Sequence, residues 1–171
     1  RMSAGRSDTG GDMHGILLVD KPEGITSAAV VARVKRGLRQ SKVGHLGTLD
    51  PFATGLLPIC LGEATKLAQF LAAEAKRYVG EIVLGVTTDT LDRTGTPVER
   101  KAVPPLAPAT IAAALAGLRG AILQTPPMYS ALKRDGVPLY RLARSGREVE
   151  RAPRPVHVTT FDVAVVARDR L

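Results

Sequence analysis

One carboxylate stands out in this sequence because it lies in a segment punctuated by glycine and proline. Residues 42–58 read KVGHLGTLDPFATGLLP, with Asp50 directly before Pro51. Glycine lets the backbone approach a ligand closely, and proline biases the preceding residue away from the α region. We therefore predict an extended loop that holds the Asp50 carboxylate on a rigid scaffold, where catalytic groups often lie. The Asp-Pro pair taken alone favours a structural role, because such pairs are common in turns.

The other residues that could do chemistry are few. His45 lies in the same segment, although a lone histidine is more often structural than catalytic. Asp20, Asp89 and Asp92 are predicted to be loop and turn residues, and no cluster of His or Cys accompanies them, so we expect no metal. The sequence lacks the Gly-x-Gly-x-x-Gly and Walker patterns that hold a dinucleotide or a nucleoside triphosphate. Cys60 lies in an apolar run and is predicted to be a core residue.

Positive charge narrows the class of partner. The chain has 24 Lys and Arg residues against 16 Asp and Glu, a net charge of +8. This excess favours a polyanionic partner over a neutral metabolite, without choosing between nucleic acid and an anionic membrane. Scattered charges usually form a solvated face. The basic residues fall into two groups, one before the glycine-rich segment and one late in the chain: Arg33, Lys35, Arg36, Arg39 and Lys42, then Lys133, Arg134, Arg141, Arg144, Arg147, Arg151 and Arg154.

Apolar content bears on location. No window approaches the roughly 18 consecutive apolar residues of a spanning helix. Residues 1–12 lack the apolar core of a signal peptide and are predicted to be a flexible lead. The single cysteine excludes an internal disulfide. These features favour a soluble, cytoplasmic protein.

The hydrophobic pattern predicts the elements that position the glycine-rich segment. Strands are expected at 14–19, 56–61, 77–85 and 157–167. A first helix follows Thr26 or Ser27, either of which can cap it, with Val30, Val31, Val34 and Leu38 on one face. Further helices are expected at 64–73, 110–118 (closed by Gly120) and 139–144. Segment 40–55 is predicted to be neither helix nor strand, and 87–95 to be a polar loop.

This order of elements favours a mixed α/β domain over a doubly wound one. A length of 171 residues suits one domain. Because the sequence stops within a strand-like run, we expect the chain to be a fragment of a longer protein.

The motifs together resemble those of the TruB family, tRNA pseudouridine synthases of bacteria that act on the T-loop uridine. Residues 44–58 resemble the family's signature loop, and residues 15–22 (GILLVDKP) resemble its opening strand and turn. Its later motifs follow in the same order, as GEATK at 62–66, KRY at 76–78, TDT at 88–90 and MYSALK at 128–133. The resemblance covers about residues 14–162, and a long run with ordered companions is far more specific than one motif.

The resemblance implies roles for single residues. Asp50 matches the catalytic aspartate, and Tyr78 matches a tyrosine that stacks on the target uracil and could remove its C5 proton. A core role for Tyr78 is the alternative. His45 matches a histidine that contacts the flipped nucleotide. Lys21 either supports the signature loop or binds the substrate through a phosphate. No cofactor is implied, and attack by Asp50 at the sugar or at C6, or proton abstraction at C2′, all remain open.

The resemblance also implies an organisation. Residues 13–171 correspond to a pseudouridine synthase catalytic domain that is incomplete at its C-terminal end, within which 124–154 form a basic RNA-gripping insertion, the thumb. Lys133, Arg141 and Arg144 are its expected phosphate contacts. The family's next motif, whose arginine pairs with the catalytic aspartate, lies beyond residue 171, so we expect these residues alone to be inactive or poorly folded.

The implied partner is the T-stem-loop of tRNA, bound by a monomer without a guide RNA. The competing interpretation is an RNA chaperone that opens the tRNA elbow without chemistry, although a carboxylate facing RNA favours an enzyme. A membrane-surface protein ranks last, because the first helix has only a modest apolar face.

Overall fold

The computed structural model describes residues 12–71, 74–130, 132–134, 136–167 and 169–171. These residues form two compact units, one that ends at Arg77 and one that spans Tyr78–Leu171. The predicted lead over residues 1–12 lies, apart from Asp12, outside the described residues. Both units combine helices with antiparallel strand pairs, which confirms the predicted mixed α/β class.

An antiparallel sheet forms the centre of the first unit. Its strands β1 (Gly15–Lys21), β2 (Val43–His45) and β3 (Gly55–Leu61) lie in the order β1-β3-β2, so β3 pairs on both sides. Lys21 at the end of β1 lies opposite Gly55 at the start of β3. This register brings the end of β1 to the point where the chain leaves the loop that precedes β3.

Helix α1 (Ser27–Gly37) packs against this sheet. Its N-cap is Thr26, whose hydroxyl accepts a hydrogen bond from the Ala29 amide at 3.1 Å, as the sequence predicted. Val31 and Val34 of the predicted apolar face are partly buried, while Leu38 is more exposed. The main cluster of buried hydrophobic residues in the unit contains Val30, Leu57, Ile59 and Leu61.

A short helical segment follows β3. It begins as a 3₁₀ helix (Gly62–Leu67) and continues as α2 (Ala68–Leu71). The predicted helix over 64–73 therefore starts earlier, and its last two residues lie outside the described residues. Cys60, at the end of β3, is buried as predicted.

The second unit is built from strand pairs. β4 (Val86–Thr88) pairs with β5 (Pro97–Arg100), and β6 (Gly120–Gln124) pairs with β9 (Arg154–Val158), both antiparallel. The β6–β9 pair joins the two ends of the segment that the sequence marks as the thumb.

Between β6 and β9 lie a hairpin of two short strands and a helix. The hairpin is β7 (Lys133–Arg134) with β8 (Val137–Pro138), and α4 (Leu139–Arg144) follows at once, as predicted over 139–144. Leu139 is buried. Helix α3 (Pro108–Ala116) begins with proline, which suits a first-turn position, and is capped by Gly117 rather than closed by Gly120.

Two strand predictions were wrong. Among the described residues, segment 77–85 forms no strand, because its main-chain contacts are isolated: Ile82 bonds Leu171, Leu84 bonds Asp169, Gly85 bonds Lys101, and Val83 forms a single bridge. The strand predicted over 157–167 instead covers Arg154–Val158, where β6 supplies a partner.

Two predicted loops contain strands. Val43–His45 pairs with β3 although the glycines around it weaken the alternating pattern, and Val86–Thr88 pairs with β5 inside the predicted polar loop. In each case the partner strand decides the structure, which a local pattern does not show.

Candidate functional site

The predicted loop joins β2 to β3 and spans residues 46–54. Its entry is fixed to β3 by a hydrogen bond from the Leu46 amide to the Pro58 carbonyl at 2.9 Å. Further in, the Ala53 amide donates to the Asp50 carbonyl at 3.0 Å, which closes a turn over Pro51. The sequence therefore predicted the position of the loop correctly, although Val43–His45 within the predicted segment form β2 and Gly55 begins β3.

Asp50 lies at this turn and is exposed to solvent. Within the part of the chain that the structure describes, its carboxylate forms no hydrogen bond and no ion pair. A solvent-facing carboxylate whose own backbone lies in a turn is available to a bound molecule.

The residue after Asp50 is held by Lys21. The Lys21 side chain is 0% exposed, and its ammonium donates to the carbonyl oxygens of Pro22 at 2.9 Å, Ile25 at 2.8 Å and Pro51 at 3.3 Å. The Gly24 amide donates to the same Pro51 carbonyl at 2.7 Å. Of the two roles expected for Lys21, this geometry favours support of the loop over contact with a phosphate, because the side chain is buried and its ammonium is bound to three carbonyls.

The residue before Asp50 is held by Ser27. The hydroxyl of Ser27 donates to the Leu49 carbonyl at 3.1 Å and accepts from the Leu49 amide at 3.0 Å, and Ser27 is 2% exposed. The Leu49 side chain packs against the buried core. The sequence marked Ser27 only as a possible helix cap, and no local signal distinguishes a capping hydroxyl from one that turns inwards.

His45 ends β2 and is half-buried. Its Nδ1 donates to the carbonyl oxygen of Gly47. Because a carbonyl only accepts, Nδ1 carries the proton, and in the neutral ring Nε2 is left as an acceptor. The ring is thus held beside the start of the loop with one nitrogen free for another partner.

An ionic cluster lies at the other end of β2 and β3. The Glu63 carboxylate accepts from Lys42 at 2.6 Å and also binds Lys66. Hydrogen bonds from Lys42 and Lys66, and the charges of both, lower the pKa of the Glu63 carboxyl to about 2. The cluster links the segment before β2 to the 3₁₀ helix after β3.

The remaining residues predicted for the site belong to the second unit. Tyr78 is its first residue and is 74% exposed, so it is not a core residue of a strand. Arg141 is exposed on α4, and Arg144 lies one turn further along the same helix. Lys133 lies in β7.

Two arginines of the thumb are already bound within the unit. Arg151 donates to the Pro126 carbonyl at 3.0 Å and lies 3.6 Å from the Glu148 carboxylate. Arg154 binds the side-chain oxygen of Gln124, opposite it in the β6–β9 pair, at 3.0 and 3.3 Å. These two are therefore less available to a phosphate than exposed Arg141.

The Thr- and Asp-rich loop after β4 forms a hydrogen-bonded turn. Asp89 accepts from the Thr96 amide at 2.8 Å, and Asp92 accepts from Thr90 at 2.8 Å and from the Thr94 amide and hydroxyl at 2.8 and 2.6 Å. Burial would raise the pKa of Asp92, but these hydrogen bonds and that of the Gly95 amide outweigh it and lower the pKa. The predicted turn roles of both aspartates are confirmed.

The described residues contain no group of three or more His, Cys, Asp and Glu side chains that could hold a metal ion. None of their helices is both long and apolar enough to cross a membrane.

Comparison with solved structures shows which class of proteins shares this fold. One chain of an H/ACA ribonucleoprotein bound to a substrate RNA containing 2′-deoxyuridine aligns with 65% of this chain and 29% of its own length, at a TM-score of 0.50 and 32% identity. A chain of the archaeal box H/ACA Nop10–Cbf5 complex aligns with 71% of this chain and 34% of its own length, at 0.51 and 33%. The fold is thus shared with chains of RNA-associated assemblies.

The family follows from the sequence comparison. Residues 35–171 match the model described as TruB family pseudouridylate synthase (N terminal domain). The chain belongs to the TruB family, which confirms the resemblance drawn from its motifs.

Curated relatives carry the name tRNA pseudouridine synthase B. That of Xanthomonas euvesicatoria is 54% identical over 151 residues (88% of this chain, 49% of the relative), and that of Opitutus terrae is 51% identical over 152 residues (89% and 63%). The relative from Geobacter sulfurreducens is 51% identical over 151 residues (88% and 50%). The chain thus spans about half to under two thirds of the length of these relatives.

Proposed function

We propose that the full-length protein isomerises the T-loop uridine of tRNA (U55) to pseudouridine, with Asp50 as the catalytic carboxylate. One observation carries this proposal: Asp50 faces solvent on a loop whose backbone is held on both sides by buried side chains, Ser27 at Leu49 and Lys21 at Pro51. Reactive groups need such support, because a shift of about 1 Å can cost about a hundredfold in rate. The names of the relatives supply the substrate class.

The reaction needs few groups. The C1′–N1 bond breaks, the uracil turns, and a C1′–C5 bond forms; C5 then loses its proton, and N1 takes up a proton. A carboxylate can serve as a nucleophile at the sugar or at C6, or as a base at C2′. No step transfers electrons or phosphate, so we propose that neither cofactor nor metal takes part.

His45 and Tyr78 are proposed to bind the uridine after it leaves its stack. An extruded base needs a π-face on which to rest, and the exposed Tyr78 ring offers one. His45 offers its free Nε2 as an acceptor. Lys21 is proposed to act through the loop and not through the RNA.

The thumb is proposed to grip the RNA backbone. Segment 124–154 carries Lys133, Arg141 and Arg144, and phosphate contacts there would hold the T-stem-loop without reading its sequence. We propose that residues 13–171 belong to the catalytic domain and that the protein is a cytoplasmic monomer.

We propose that no guide RNA is required. Identity to relatives named tRNA pseudouridine synthase B is 51–54%, against 32–33% to chains of the H/ACA assemblies. The higher identity supports direct recognition of tRNA by the protein.

The test uses a tRNA transcript tritiated at C5 of uridine. Pseudouridine formation releases that tritium, so we expect release by the full-length protein without added guide RNA and none by its Asp50→Asn variant. Affinity of the variant for tRNA should not fall, because it only removes a negative charge beside the RNA. The chain 1–171 is assayed in parallel, and we expect it to be inactive.

Two results would contradict the proposal. Equal release by parent and Asp50→Asn would remove Asp50 from the chemistry. Binding of tRNA without any release by the full-length protein would favour the chaperone.

A further inference from the structure

Two adjacent hydroxyls at the start of α1 form hydrogen bonds with different parts of the chain. The Thr26 hydroxyl accepts from the Ala29 amide at 3.1 Å and so caps the helix. The Ser27 hydroxyl turns away from the helix and binds Leu49, 22 positions along the chain. Because Thr26 already caps α1, the helix start does not require the Ser27 hydroxyl.

A single hydroxyl satisfies both main-chain polar groups of Leu49. It donates to the Leu49 carbonyl at 3.1 Å and accepts from the Leu49 amide at 3.0 Å, using its one proton and one lone pair. Ser27 is 2% exposed, so water does not compete for these bonds. The pair mimics the exchange of two hydrogen bonds between partners in an antiparallel sheet.

Leu49 is also held by its side chain. That side chain packs against the core cluster that includes Val30 and Leu57. With side chain, amide and carbonyl all fixed, the peptide plane that leads into Asp50 has a defined position.

We propose that Ser27 is a positioning residue for the Asp50 carboxylate, acting through both main-chain groups of Leu49. The inference rests on the proposed function, since it assumes that Asp50 reacts with the uridine. Ser27 itself is buried beneath the loop and does not touch the RNA. Its loss should therefore slow the chemical step and leave RNA binding unchanged.

The test compares Ser27→Ala with Thr26→Ala in the full-length protein. Both remove one hydroxyl at the same helix start, but only Ser27→Ala releases Leu49, so the pair separates loss of stability from loss of position. Single-turnover tritium release at saturating tRNA measures the rate of the chemical step. Equilibrium binding of tRNA by each variant combined with Asp50→Asn measures affinity without turnover. Exchange of the Leu49 amide hydrogen shows directly whether the bond to the Ser27 hydroxyl is present.

We expect Ser27→Ala to lower the single-turnover rate about ten- to a hundredfold, to change the dissociation constant less than about twofold and to speed Leu49 amide exchange at least about tenfold. Thr26→Ala should leave the rate within about twofold of the parent. An unchanged rate, an equal loss in both variants or unchanged Leu49 exchange would overturn the proposal. A silent parent would instead contradict the proposed function, and the positioning role would fall with it.

Discussion

The ammonium of Lys21 donates to the carbonyl oxygen of Pro51, 3.3 Å away and 30 positions further along the chain. The same ammonium binds the carbonyls of Pro22 and Ile25, so one buried charge ties the turn after β1 to the residue after Asp50. A buried charge is tolerated when hydrogen bonds replace its lost hydration, and here carbonyl oxygens do so.

Replacing this lysine should destabilise the protein strongly. Lys21→Met keeps most of the side-chain volume but removes the Lys21 hydrogen bond from three carbonyls, of which Pro51 keeps the Gly24 amide as a donor. We expect a loss of about 2–4 kcal/mol in the free energy of unfolding. Urea denaturation measures it, with Lys35→Met as a control because Lys35 is exposed on α1. A loss below about 0.5 kcal/mol would show that the three contacts contribute little.

The same variant decides between loop support and phosphate binding. A lysine that neutralises a phosphate contributes about 1 to the slope of log Kd against log salt concentration. Because Lys21 is buried, we expect the slope for a T-stem-loop RNA to be the same in Lys21→Met as in the parent. A reduction near 1 would mean that Lys21 reaches the RNA after all.

The ion pairs of Glu63 predict a dependence of stability on pH. The pKa of Glu63 is lowered from 4.5 to about 2 in the folded chain by Lys42 and Lys66. A carboxyl whose pKa is lower in the folded chain stabilises the fold at pH values above its pKa in the unfolded chain. This contribution is lost as pH falls from about 4.5 towards 2. The melting temperature of Glu63→Gln should therefore lie below that of the parent at pH 6, and the two should converge near pH 2.

Added salt and a second variant test whether the ion pairs of Glu63 cause this pH dependence. Glu63 and both lysines are exposed, so 1 M NaCl should reduce the difference at pH 6. Glu99→Gln removes an exposed carboxylate that binds a single lysine and should show a smaller difference at pH 6. A difference for Glu63→Gln that persists at pH 2 would argue against an electrostatic origin.

Patterns of neighbouring residues in the sequence predicted the helices and strands that depend on neighbouring residues. The cap at Thr26, the helix over 139–144 and the strand before Gly62 follow from capping and apolar runs. β2 was missed because Val43–His45 is a strand only through its pairing with β3. Segment 77–85 was assigned wrongly for the converse reason, since an apolar run without a continuous partner forms no ladder.

The sequence motif of the site was predictable, but the contacts that hold its loop in place were only partly so. Asp50 and its loop follow from glycine and proline spacing and from the family pattern. The buried polar contacts were less predictable: loop support was one of two roles expected for Lys21, whereas Ser27 and Gln40 are polar residues buried by distant contacts. Gln40 bonds both main-chain groups of Met13 at 3.1 and 3.2 Å, much as Ser27 bonds those of Leu49. Sequence patterns mark such residues as ordinary surface positions.

Gly62 should tolerate no side chain. Its φ is +56°, and a Cβ there would lie 2.6 Å from the Met13 carbonyl oxygen and would overlap the His14 ring. We expect Gly62→Ala to cost about 1–3 kcal/mol, measured by thermal unfolding. Gly37 at the end of α1 has open space around it, so Gly37→Ala should be neutral or stabilising by up to about 1 kcal/mol. Equal effects of the two substitutions would contradict this account.

The thumb offers a test of backbone gripping. Arg141 is exposed on α4 and, within the described part of the chain, its guanidinium forms no ion pair, whereas Arg154 is bound to Gln124. We expect Arg141→Ala to weaken binding of tRNA and of unrelated RNA alike and to lower the salt slope by about 1, with Arg144→Ala adding to it. Arg154→Ala should have a smaller effect, since its loss removes a contact within the protein. Affinity that stays unchanged in the Arg141 and Arg144 double variant would exclude this helix from the RNA interface, and loss for tRNA alone would mean that Arg141 recognises tRNA structure and not the phosphate backbone common to all RNA.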